Sequence, residues 1–171
     1  GLAAVASDLK STAQTSVAQL NSLAQSLATA NSGLSRATPG SNGEAQLLDQ
    51  RDKILDQMSQ LASVNVSYDE KGRATVRLDQ PNGPALVDGI KANAVTLSAS
   101  DQGVMSFALN DGASIQPVTM RSGSLAGIAD AALRVGDARN RIDQVANDFV
   151  TQANAVQASG VDLNGNNGQP L

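Results

Sequence analysis

The segment SGSLAGIADAALRVGDARNRIDQVANDFVTQANAVQ, Ser122 to Gln157, decides the fold. Ile128, Val135, Ile142, Phe149 and Val156 recur every seven residues, and Ala131, Ala138 and Val145 fill the three-residue offset. This is an a/d repeat, one apolar face of a long helix sustained over about four heptads. Asp130 with Arg134 and Asp137 with Arg141 stand acid-before-base at i,i+4 and mark the solvated side. Each such pair is worth only about 0.2–0.5 kcal/mol. A helix of some 35 residues runs about 50 Å, longer than a compact domain of this size is wide. It therefore needs other helices beside it.

The chain supplies two. From Leu2 to Ala30, Leu9, Ala13, Leu20, Leu23 and Leu27 fall on one stripe, with Ser, Thr, Gln and Asn on the rest. Asn31-Ser32-Gly33 reads as its stop. This first helix opens in mid-pattern, as expected of a piece of a longer protein. A Pro/Gly/Ser loop over 32–42 follows, with Ser41 and Glu44 at capping-box spacing. The next helix carries Leu47, Ile54 and Leu61, again seven apart, with Leu48, Leu55 and Met58 beside them. Two helices joined by about ten residues pack as an antiparallel hairpin. The long C-terminal helix completes a bundle of three, with Leu47, Ile54, Leu61, Ile128, Val135, Ile142 and Phe149 as its expected packing seam.

Between Ser63 and Met120 the period changes from helical to alternating. Val64, Val66 and Tyr68, then Asp69-Glu70-Lys71-Gly72, then Ala74, Val76 and Leu78 form a hairpin signature. Further short strands are expected at Ala85 to Val87, around Val95 and Leu97, from Val104 to Leu109, and from Ile115 to Val118. About six strands make a small antiparallel sheet or barrel. The fold class is α+β: a long-helix antiparallel bundle with an inserted β domain. The expected division is 1–62 plus 122–158 for the helical domain, 63–121 for the β insert and 159–171 for a polar Gly/Asn-rich loop.

Composition removes several function classes. The 171 residues contain no cysteine and no histidine. Disulfides, thiol nucleophiles, Cys/His zinc sites and histidine relays go with them. The net charge of −4 and pI near 4.6 disfavour nucleic acid, and Tyr68, Phe107 and Phe149 are the only aromatics available for stacking. No apolar run approaches the roughly 18 residues of a membrane span.

Three local constellations carry little chemistry. Asp49 and Asp52 are neighbours on a helix, but nothing apolar surrounds them to shift a pKa, and Asp49 is placed to pair with Lys53. Asp162-Leu163-Asn164-Gly165-Asn166-Asn167 imitates the start of a calcium loop, yet the sixth position is Asn167 rather than glycine. Gly136 inside the long helix costs about 1 kcal/mol against alanine; it either lets a neighbouring helix approach closely, the reading favoured here, or is simply tolerated in a bundle with many alanines. No catalytic, cofactor or metal site is expected, and the chain reads as a structural or interaction protein rather than an enzyme.

Three stretches together resemble the bacterial flagellar hook-associated protein 1 family. LLDQRDKILDQMSQLASVNVSYDEKGRATVRL, Leu47 to Leu78, is similar to the family's central helix running into a valine-rich strand pair. SGSLAGIADA, Ser122 to Ala131, looks like the start of its long returning helix, and Val161 to Asn166 like the loop after it. The chain departs from the family at Gln157-Ala158-Ser159-Gly160, where many members carry a histidine. The resemblance implies a structural subunit of the bacterial flagellum, joining hook to filament. It implies export through the flagellar secretion system, an extracellular location, and self-association into a ring in the full-length protein. The implied partners are the flagellar hook protein and the second hook-associated protein. Flagellin, the second hook-associated protein and a surface carbohydrate-binding module are the alternatives.

Overall fold

The computed structural model describes residues 1–160. The calcium-loop imitation at 162–167 and most of the expected 159–171 loop lie outside them. The order is α1 (Leu2–Arg36), α2 (Asn42–Leu61), β1 (Val64–Tyr68), β2 (Ala74–Leu78), β3 (Ala85–Asp88), β4 (Lys91–Ala92), β5 (Ala94–Ala99), β6 (Met105–Asn110), β7 (Ile115–Val118) and α3 (Gly123–Ser159). Three helices with two small antiparallel sheets between them make the α+β arrangement expected from the periodicities.

The first helix runs through its expected stop and ends at Arg36. Asn31 does not cap it because its side-chain amide is engaged in the core, and Gly33 serves interhelical packing instead. A Cβ on Gly33 would meet the Leu47 side chain at 2.9 Å, so α1 and α2 close on each other here. The loop shrinks to residues 37–41. Ser41 then caps α2: its Oγ accepts the Glu44 N–H at 3.1 Å, while the Glu44 carboxylate accepts the Gly40 N–H at 2.6 Å.

The insert forms two sheets rather than one, in the orders β1-β2-β3-β4 and β5-β6-β7. All neighbours are antiparallel. The two-residue strand β4 carries no periodic signal of its own and escapes a reading by pattern. Ala74, Val76 and Leu78, the alternate residues of β2, are fully buried. They join Leu20, Leu27, Met58, Leu86, Leu109 and Leu125 in one hydrophobic cluster that draws on both sheets and all three helices. The helical and β segments are distinct in chain order but share a core.

The bundle is centred on α1. α2 lies antiparallel along its C-terminal half. α3 lies antiparallel along its N-terminal half, because Ala6, Ser7 and Lys10 line the same cleft as Ala132, Gly136 and Arg139. α2 and α3 meet chiefly where one ends and the other begins. There Ser63 Oγ accepts the N–H groups of Arg121 at 2.7 Å and Ser122 at 3.1 Å. Gly123, at φ +81°, lets the chain turn against Leu61 and Ala62, where a Cβ would come within 2.5 Å of the Leu61 carbonyl carbon. Beyond Asn140, α3 runs on past the Gly1 end of α1 for roughly 20 residues, on the order of 30 Å.

Candidate interaction surface

Two asparagines on α1 fasten the sheets to the helix. Asn31, 0% exposed, donates through Nδ2 to the Ala74 carbonyl at 2.8 Å and the Gly89 carbonyl at 2.7 Å, and accepts the Ala74 N–H through Oδ1 at 2.9 Å. Ala74 sits on β2 where its partner β3 has already turned away at Asp88, so the side-chain amide takes the place of a missing strand. Asn21 repeats the device one sheet over. Its Nδ2 donates to the Val95 carbonyl at 2.9 Å and its Oδ1 accepts the Val95 N–H at 2.7 Å, on the open edge of β5. Both residues carry polar side chains on a helix otherwise read for its apolar stripe; Asn21 was not singled out by pattern, and Asn31 was read only as part of a helix stop. An asparagine in a helix interior is disfavoured by propensity. That cost is the one signal in the sequence that could have found them in this role.

A second fastening starts from the leucine/DQRD stretch. Arg51 stacks over Tyr68, its guanidinium carbon 4.5 Å from the ring centroid. It also donates to the Gly72 carbonyl and pairs with Asp52 at 2.7 Å. The arginine therefore clasps α2 to the β1–β2 hairpin. Asp49 and Lys53 form no salt bridge among the described residues; the pairing in this stretch is Arg51 with Asp52. No group of three acidic residues close enough to hold a metal ion occurs among the described residues.

Gly136 is a close-packing glycine, but what it admits is a turn and not a helix. A Cβ there would lie 2.0 Å from the Gln102 carbonyl oxygen, and one on Gly103 (φ +80°) would lie 2.3 Å from the Ala132 carbonyl oxygen. The β5–β6 turn thus rests directly on the α3 backbone. With Leu125 and Ala132, Gly136 forms the fully buried face of α3.

That face is not the heptad seam. At about 100° per residue, the Ile142–Val156 stripe lies roughly a third of a turn away from it. Of the expected seam residues, Ile54 and Leu61 are buried, and Leu47, Ile128 and Val135 are half-buried. Ile142 and Phe149 are exposed, at 59% and 70%, together with Val145 and Val156. The expected seam is thus divided: Ile54 and Leu61 of α2 enter the core, Leu47 stays half-buried, and the α3 residues run from a half-buried flank to an exposed apolar ridge. Of the two expected ionic pairs, Asp130–Arg134 closes at 2.9 Å, and Asp137–Arg141 does not close.

Titration is shifted at two exposed turns. Backbone N–H groups of Ser114 and Ala113 and the Ser114 hydroxyl hold the Asp111 carboxyl below its ordinary value. At Asp69, desolvation acts to raise the pKa, but the Arg73 side chain and the Arg73 and Lys71 backbone N–H groups together outweigh it, and the net shift is downward. Both carboxylates organise hairpin turns, and Asp111 also lines an open cleft with Arg77, Asp88, Lys91 and Gln116.

The family model for the flagellar hook-associated protein FlgK helical domain matches residues 1–171. The chain belongs to the FlgK family. Flagellar hook-associated protein 1 from Escherichia coli (strain K12) is 32% identical over 163 residues, 90% of this chain and 29% of that protein. The namesake from Salmonella typhimurium matches at the same identity and coverage. The chain thus spans less than a third of the length of these relatives. Among solved structures, the flagellar hook junction protein FlgK from Burkholderia pseudomallei superposes with a TM-score of 0.82 at 27% identity, over 99% of this chain and 32% of that one. Two of the three stretches that carried the resemblance sit on the α2–β1–β2 clasp and on the docked start of α3; the third, 161–166, lies outside the described residues.

Proposed function

We propose that this chain is the helical part of a structural subunit that joins hook to filament in the bacterial flagellum. The subunit is exported through the flagellar secretion system and acts outside the cell, without catalysis. The single observation that carries this reading is the agreement of fold over nearly the whole chain with a flagellar hook junction protein. The build of the molecule suits a load-bearing part. Its sheets are bonded to α1 through side-chain amides, its turns rest on backbone, and its core is continuous. In this reading, 1–62 with 122–158 forms the packing body and 63–121 an outward part.

Partners in the assembled structure are the hook protein, the second hook-associated protein and neighbouring copies of the full-length protein. The experiment is binding of the full-length protein to purified polymerised hooks. Saturable capping that then permits addition of the second hook-associated protein is the expected result. A folded full-length protein that leaves hooks bare overturns the reading.

A further inference from the structure

Asparagine followed by glycine occurs twice among the described residues, at Asn42-Gly43 and Asn82-Gly83. A glycine has no side chain to screen its own nitrogen, so that nitrogen can approach the preceding asparagine Cγ. Both asparagine side chains are exposed, and water reaches both. The glycine nitrogens differ. At Asn82 the nitrogen is held: the Gly83 N–H donates to the Gln80 carbonyl at 2.8 Å, and the Gly83 carbonyl accepts from Arg77 Nη1 at 2.9 Å. A Cβ on Gly83 would lie 1.9 Å from the Leu78 carbonyl oxygen, so this backbone has no room to swing. Pro81 and Pro84 fix φ on either side. At Asn42 the nitrogen is loose. Gly43 is the second residue of α2, in the turn whose N–H groups have no partner within the helix, and its own N–H has no acceptor among the described residues. A Cβ there would meet only the Ser41 Oγ, at 3.8 Å.

We infer that Asn42 is a site of spontaneous deamidation through a succinimide formed with Gly43. The Gly43 nitrogen gives its proton to solvent and bonds to Asn42 Cγ. The Cγ–Nδ2 bond breaks, and Nδ2 takes up a proton and leaves as ammonia. Water then opens the ring at either carbonyl, giving aspartate or isoaspartate; nothing is oxidised or reduced. To reach Cγ, the peptide must leave the helical backbone, which costs two bonds to Ser41. These are the Glu44 N–H to its Oγ and the Ala45 N–H to its carbonyl, both at 3.1 Å. Helix ends fray at little cost, whereas the turn at Gly83 joins β2 to β3 beside the fully buried Leu78 and Leu86. The isoaspartate product lengthens the main chain between Ser41 and Glu44 by one carbon and draws the hydroxyl off the Glu44 N–H. The modification thereby undoes the cap of α2.

The conversion needs no partner and is independent of the hook reading. Peptide mapping by mass spectrometry, on folded chain incubated at neutral pH, reads it site by site. Asn42 is expected to convert at least about tenfold faster than Asn82, because the two sites differ in local opening. In guanidinium chloride, where neither site is held, the gap should close. Gly43→Ala should suppress conversion at Asn42 with the fold intact, since its Cβ has room and alanine favours the helix. Equal rates in the folded chain, Asn82 ahead, a gap that survives unfolding, or undiminished conversion in Gly43→Ala overturns it.

Discussion

Removing the Asn31 amide tests how α1 holds the first sheet. In Asn31→Leu the branched shape and the number of side-chain heavy atoms are kept, but three hydrogen bonds of 2.7–2.9 Å disappear. They leave the Ala74 N–H, the Ala74 carbonyl and the Gly89 carbonyl without that partner, at a site where Asn31 and Ala74 are fully buried. Each buried polar group left unpaired costs about 1–3 kcal/mol, and water can enter most readily at the Gly89 turn. A total of about 3–5 kcal/mol is therefore expected, against a whole-domain stability of about 5–15 kcal/mol. For a chain of this length that corresponds to a melting point lower by about 6–20 °C. Asn31→Asp should be at least as damaging, because it can still accept the Ala74 N–H but turns an acceptor toward two carbonyls. Urea unfolding followed by circular dichroism, with m unchanged, gives the numbers. A loss below about 1 kcal/mol for Asn31→Leu would refute the view that this amide substitutes for a strand.

Other expectations follow from the same geometry. Gly136→Ala should destabilise by about 1–3 kcal/mol although it improves helix propensity, since its methyl collides with the Gln102 carbonyl; faster amide exchange in the β5–β6 turn is the companion readout. Met58→Ala, in the core, should cost about 2–5 kcal/mol, whereas Phe149→Ala, 70% exposed, should stay within about 0.5 kcal/mol for dilute chain. A loss above 2 kcal/mol for Phe149→Ala, on that comparison, would mean the ridge is packed within the monomer. Arg51→Lys should loosen the β1–β2 hairpin, seen as lost protection of hairpin amides, because a lysine cannot stack and bond at once. The lowered pKa of Asp111 means its contribution is present above the ordinary carboxylate range and is lost as pH falls through its folded value. Asp111→Asn should flatten the acid limb of the stability profile, and an unchanged limb would count against the turn's role.

How far the fold could be read depended on the range of each interaction. Period and turn chemistry are local, so the three helices, the Ser41 cap and the β1–β2 hairpin were legible from neighbours in sequence. The overrun of α1 was not. Asn31-Ser32-Gly33 has the residues of a helix stop, but Asn31 is bound to Ala74, 43 residues away, and Gly33 is pressed on Leu47. Local preference toward a stop lost to partners that pattern does not reveal. The Arg51 clasp was hidden for the same reason: its partners Tyr68 and Gly72 lie on the next element.

The long helix shows the limit most clearly. Heptad spacing establishes that an apolar stripe exists; it does not say which molecule covers it. The core took a different face of α3, the one with Leu125, Ala132 and Gly136, because only small residues let the β5–β6 turn reach the backbone. A packed face made of alanine and glycine is nearly silent to hydrophobic periodicity, while the large residues at 142, 145, 149 and 156 signal strongly and stay in solvent. Among the described residues the strongest apolar pattern of α3 therefore lies outside the core, and the part of the helix under the β5–β6 turn is closed with small residues.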